Sequence, residues 1–190
     1  MEINLYFDNS YTQSRIEIEG KEMYTTSGST GLFKNSMLLY KSPDKILRLE
    51  VKLKTIPPRI KIELADRDTL DLKFVDVAGM QFTCQKGADI YDIYRHRFKK
   101  YSVYKNSRQI AFMVAVLECN WVIGGLEFSD ESASNRKDKY TIIADEDCDK
   151  ELIIAFFLFF RISGHSDDIH KAWEKKELNE NWKPKGSAGK

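Results

Sequence analysis

The residues best suited to chemistry lie between Tyr91 and Arg108. Arg95, Arg97, Lys99, Lys100, Lys105 and Arg108 stand there against one acid, Asp92, with Tyr91, Tyr94, Phe98, Tyr101 and Tyr104 interleaved. Clustered cations of this kind hold phosphate oxygens by charge-assisted hydrogen bonds. Arg95 and Arg97 are two positions apart and share one face of a strand, from which guanidinium groups can fork onto oxygens as lysine cannot. Lys99 and Lys100 fall at the following turn, where they add attraction at longer range. The same residues also suit the solvated outer face of a hairpin, partly paired with acids from elsewhere. Both readings stand at this point.

Other reactive groups are less suggestive. His165, Asp167, Asp168 and His170 cluster in sequence, but their spacing matches no common zinc pattern, and Ser166-Asp-Asp suffices as a helix N-cap. No metal site is expected. His96, flanked by two arginines, reads as a surface residue rather than a general base. Ser27-Gly-Ser-Thr-Gly31 is a loop of small residues without the Gly-Lys-Ser/Thr ending or the following helix of a phosphate-binding loop. Cys84, Cys119 and Cys148 are odd in number and far apart, giving neither a disulfide framework nor a paired metal spacing. They read as buried thiols in a reducing compartment, which makes the chain cytoplasmic. The first residues, Met1 to Phe7, have neither the basic start nor the apolar run of a signal peptide. No serine, cysteine or carboxylate pair stands in a recognisable catalytic setting, so no enzyme and no cofactor are expected.

Across 190 residues, 30 Lys and Arg against 29 Asp and Glu leave a net charge of +1. Nothing global calls for nucleic acid, and a basic site must be local.

The elements that would position such a site are strands around one helix. From Leu152 to Phe160 no side chain is polar. A helix apolar all round is buried all round, and nine such residues fall short of the roughly 20 that cross a bilayer. Asp145, Glu146, Asp147 and Asp149 precede it where the helix dipole favours anions, and Arg161 and Gly164 mark its end. The expected helix runs over about 149–163. Ahead of it the period is two. Leu47, Leu49, Val51 and Leu53 alternate with Arg48, Glu50, Lys52 and Lys54, and Pro57-Pro58 ends that strand. Arg15 to Thr26 reads as a hairpin broken at Gly20-Lys21, and Arg59–Leu64 and Leu70–Phe74 as strands. The flip of phase at Val75 and Val77 suggests a bulge. Met80–Gln85, Ile90–Arg95, Tyr101–Tyr104, Ile110–Leu117, Trp121–Phe128 and Tyr140–Ala144 bring the total to about twelve strands. Ser129 to Lys139 reads as a polar loop, 167–178 as a short amphipathic helix, and Lys183–Lys190 as a mobile tail.

A sandwich would leave no room for the helix, and an open sheet would wet half of it. A closed antiparallel barrel of large circumference has a lumen that strand side chains alone do not fill. Threading the helix through that lumen satisfies both, and closure removes the edges. The expected fold is therefore mainly β: a barrel of about twelve strands over 1–163, with 164–190 appended.

This order of elements resembles the tubby C-terminal fold, a group that includes phospholipid-scramblase-like and plant LURP-one-related proteins, and most closely its small bacterial members. Asp92 to Ala111 carries the resemblance best, as paired short strands around an Asn-containing turn, joined by Tyr140-Thr-Ile-Ile and the helix from Glu151 to Ile162. It covers about 1–163. In tubby itself the chain ends soon after the helix, so the last 25 or so residues depart from the pattern and would plug or cap one barrel mouth. The resemblance implies a phosphoinositide-type binder. It nominates Arg95, Arg97, Lys99, Lys100, Lys105 and Arg108 for phospholipid headgroups, and a peripheral place at the membrane. The resulting expectation is a non-enzymatic module that engages an anionic membrane surface or a protein partner through a basic outer face. The alternative is a binding or catalytic protein with a pocket at a barrel mouth.

Overall fold

The computed structural model describes residues 1–7, 13–31, 34–52, 59–66, 68–75, 81–97, 100–116, 138–162, 176–179 and 181–186. Twelve strands form one closed barrel: β1 (Glu2–Phe7), β2 (Ser14–Ile18), β3 (Lys21–Ser29), β4 (Lys34–Lys41), β5 (Asp44–Lys52), β6 (Arg59–Leu64), β7 (Thr69–Phe74), β8 (Gln81–Lys86), β9 (Asp89–His96), β10 (Lys100–Lys105), β11 (Arg108–Val116) and β12 (Asp138–Ala144). Each pairs antiparallel with its neighbour in sequence, and β1 closes the ring on β12 from Glu2–Ile143 to Phe7–Asp138. The turns follow local chemistry. Glu19 and Gly20 at φ 50° and 76°, and Asn106 and Ser107 at 49° and 68°, occupy the left-handed region that tight two-residue hairpins require.

Helix α1 (Lys150–Ile162) fills the lumen. Every residue from Leu152 to Phe160 is at most 4% exposed. Its partners come from several strands of the wall. The Tyr24 hydroxyl of β3 donates to Glu151 at 2.6 Å, and the Phe82 ring of β8 lies 4.9 Å from that of Phe159. Tyr91 of β9 reaches Phe156 at 5.7 Å, and Tyr101 of β10 stacks on Phe160 at 4.0 Å. Each helix end receives a side-chain hydrogen bond. Asp149 Oδ1 accepts the Leu152 amide at 3.0 Å as an N-cap, and Asn35 Nδ2 donates to the Ile162 carbonyl at 2.6 Å. Among the described residues no helix is long and apolar enough to cross a membrane.

Some expectations change. Ser27 to Ser29 are not a loop but the end of β3, because the ladder to β4 (Ser27–Leu38, Gly28–Met37, Ser29–Ser36) outweighs the weak strand preference of small residues. The chain's end is docked at Lys185, whose amide donates to the buried Asp145 carboxylate at 2.6 Å, so this part of the expected mobile tail is held. Of the expected second helix, residues 176–178 have no regular structure and the rest lies outside the described residues. Trp121–Phe128, residues 129–137 of the expected polar loop, Pro57-Pro58 and Val77 also lie outside them, while Asp138 and Lys139 open β12 instead of ending that loop, held by pairing to Phe7 and Tyr6.

Candidate binding surfaces

β9 carries apolar residues on both phases, so the pattern alone does not say which one faces in. The structure puts Tyr91, Ile93 and Arg95 inward, at 4%, 0% and 7% exposure, while Ile90 faces out at 48%. Arg95 lies opposite Tyr101, within the core layer that stacks on Phe160. Its expected place on a solvated outer face is thereby corrected: the guanidinium is inside the wall and cannot fork onto an external phosphate. Arg97 and Lys100 flank the β9–β10 turn and are half-buried, the Lys100 amide donating to the Arg97 carbonyl at 3.3 Å. Lys99 lies outside the described residues.

Lys105 and Arg108 belong to the opposite rim, where α1 starts. Lys105 Nζ pairs with Asp89 at 2.8 Å, Arg108 Nη1 with the buried Asp145 at 2.6 Å, and Lys86 Nζ with Asp149 at 2.7 Å. The hydrogen bond to Asp149 lifts the Lys86 ammonium above its usual range, and bonds from Lys105 and then Asn106 hold Asp89 below its own. These cations are committed to acids within the chain. The six nominated residues are therefore split between the core, two rims and the undescribed turn, and do not form one face.

His96 is also corrected, from surface to 1% exposed, with Nε2 2.7 Å from Ser102 Oγ. That pair has the spacing of a base and a nucleophile, and Ser102 is equally buried at 1%. Burial pushes the Cys84 thiol up to about 12. Burial, followed by the charges of Asp145, Asp147 and Asp149, pushes Cys148 up to about 11. Both remain protonated, poorly nucleophilic thiols at neutral pH. No metal-holding group of His, Cys, Asp and Glu occurs among the described residues, and His165, Asp167, Asp168 and His170 lie outside them.

A different basic surface emerges from strand register. On the outer face of β4–β7 one cross-strand rung reads Ser36, Glu50, Lys61, Asp71, and the next along reads Leu38, Arg48, Glu63, Thr69. In both, charged neighbours alternate in sign, as pairing energetics favour. The rung at the rim where α1 ends does not alternate. Lys34 faces Lys52, Lys52 faces Arg59, and one further step of the β6–β7 register sets Lys73 beside Arg59. All four are exposed. With strands about 4.8 Å apart, the row spans about 14 Å. Glu50 lies beside it, 2.7 Å from Lys34, 3.6 Å from Arg48 and 3.8 Å from Lys52. The Lys34 hydrogen bond holds the Glu50 carboxyl below its usual range. Arg97 and Lys100 stand on this same rim. The alternation of β5 and β6 marks Lys52 and Arg59 as outward-facing, but only the pairing register brings all four residues into line.

Comparison of the chain with protein-family models, with curated proteins and with solved structures finds no match.

Proposed function

We propose that the protein is a non-enzymatic binding module that docks on anionic phospholipid surfaces through the rim where α1 ends. The observation that carries this reading is the like-charged rung Lys34–Lys52–Arg59–Lys73. Like charges set directly opposite one another destabilise a sheet, and the two adjoining rungs avoid them. A row of four exposed cations, of which Lys34 and Lys52 share Glu50, suits contact with an anionic surface. Lys and Arg near an anionic surface each contribute about 1 kcal/mol, so a row of this kind, with Arg97 and Lys100 beside it, supports measurable attraction despite the near-zero net charge. The described lumen is filled by the helix and the inward side chains, which favours an outer-surface role over a pocket.

The test is co-sedimentation with phosphatidylserine-containing vesicles, and with phosphatidylcholine vesicles as the control. Wild type should bind the anionic vesicles at low salt and release them as salt rises, because screening shortens to about 10 Å at 0.1 M. The double change Lys52→Gln, Arg59→Gln should weaken binding tenfold or more, two contacts of about 1 kcal/mol each being lost. Failure of wild type to bind anionic vesicles at low salt would overturn the reading.

A further inference from the structure

Part of the outward side of β9–β11, around Tyr94, Tyr104 and Gln109, is aromatic, polar and largely covered. Tyr94 and Tyr104 meet edge to face with centroids 5.4 Å apart. The Lys176 ammonium lies 3.8 Å from the Tyr104 centroid and 5.2 Å from that of Tyr94, where the ring quadrupoles attract a cation. The Tyr104 hydroxyl donates to Gln109 Oε1 at 3.0 Å. Gln109 is 6% exposed, and its Nε2 has no acceptor among the described residues. A buried amide donor left unmade is costly and calls for a reason.

The segment that brings Lys176 here continues to the rim where α1 starts. There the Lys185 amide donates to Asp145 Oδ1 at 2.6 Å, and the Lys185 carbonyl accepts the Glu146 amide at 3.4 Å. Gly186, at φ +92°, sits so close to Glu146 that an added Cβ would meet its side chain at 2.6 Å. The segment is thus clasped at two places, the ring pair and the Asp145 corner.

We propose that the Tyr94–Tyr104–Gln109 face is a docking site for an extended, lysine-bearing segment of a partner protein, held shut in cis by residues 176–186. Among the described residues, the chain's own segment supplies the ammonium that the rings attract but no acceptor for Gln109 Nε2. A partner segment that offers a lysine to the rings and a backbone carbonyl to Gln109 satisfies both groups, and so displaces the cis occupant. Every barrel strand is already paired on both edges, so recognition proceeds through these side chains rather than by strand addition. This surface is separate from the cationic rung, and the two proposals stand or fall independently.

The experiment uses the full-length chain and a fluorescent synthetic peptide of residues 174–186 as the probe. Lys176→Gln in the protein should loosen the clasp. Hydrogen exchange over 176–186 should then quicken about tenfold while the barrel strands remain unchanged, and the probe should bind this variant about tenfold more tightly than wild type. A probe carrying Lys176→Gln itself should show no such gain. Unchanged exchange over 176–186 in the variant would overturn the proposal, as would a probe that binds neither protein or binds both alike.

Discussion

The outer faces of β4–β7 and β9–β11 are built by the same alternation and have opposite fates. On β6 and β7 every outward charge, from Arg59, Lys61 and Glu63 to Asp71 and Lys73, is exposed, and the side chains between them are buried. On β9–β11 the outward His96, Ser102, Tyr104 and Gln109 are 7% exposed or less. The period of two fixes which residues share a face of the wall. It does not fix whether that face meets water or another part of the chain. The open face can carry a charge pattern that serves an external partner, whereas the covered one has to satisfy its polar groups internally. Among the described residues, Gln109 Nε2 is one atom for which it does not.

The two faces share one core, so a charge placed there should abolish the contrast altogether. Phe156 is fully buried among side chains from the wall, and Phe156→Asp puts an unpaired carboxylate where it costs several kcal/mol or more. The expected outcome is loss of soluble, cooperatively melting protein. A Phe156→Asp chain that melts like wild type would show that the helix is not central.

A smaller effect separates two arginines that look alike in sequence. Arg95→Gln alters a charged residue that is 7% exposed and should lower stability by about 2 kcal/mol or more. Arg59→Gln, on the open face, should stay within about 0.5 kcal/mol. Chemical denaturation of both variants checks this, and equal effects would mean that the inward assignment of Arg95 is wrong.

The smallest expected effect is the titration of Glu50. Its folded-state pKa lies below the ordinary value of 4.5, chiefly through Lys34. A depressed carboxylate pKa stabilises the fold above the unfolded pKa, and that contribution is lost as pH falls through the folded one. Glu50 should therefore titrate below 4.5 by NMR, and Lys34→Gln should move it upward. No movement would remove Glu50 as the partial counter-charge of the rung.

Much of the fold was legible because two signals agree throughout: uniform apolarity from Leu152 to Phe160, and period two in strands such as β5 and β6. The site was less legible, for three physical reasons. β9 is apolar on both phases at Ile90, Tyr91, Ile93 and Tyr94, so the side taken by Arg95 depended on the ring closing in one register. The burial of His96 and Ser102 comes from tertiary packing, which leaves no local pattern. The cationic rung joins Lys34, Lys52, Arg59 and Lys73 from four strands, and no spacing along one strand announces it.

Lysine footprinting on vesicles tests most directly the claim that the open face does the docking. Acetylation rates would be measured for each lysine in the presence of phosphatidylserine vesicles and of phosphatidylcholine vesicles. The account predicts that Lys34, Lys52 and Lys73 lose reactivity severalfold on the anionic vesicles alone, while Lys86 and Lys105 at the opposite rim keep theirs. Protection of Lys86 and Lys105 with Lys52 and Lys73 left reactive would contradict it.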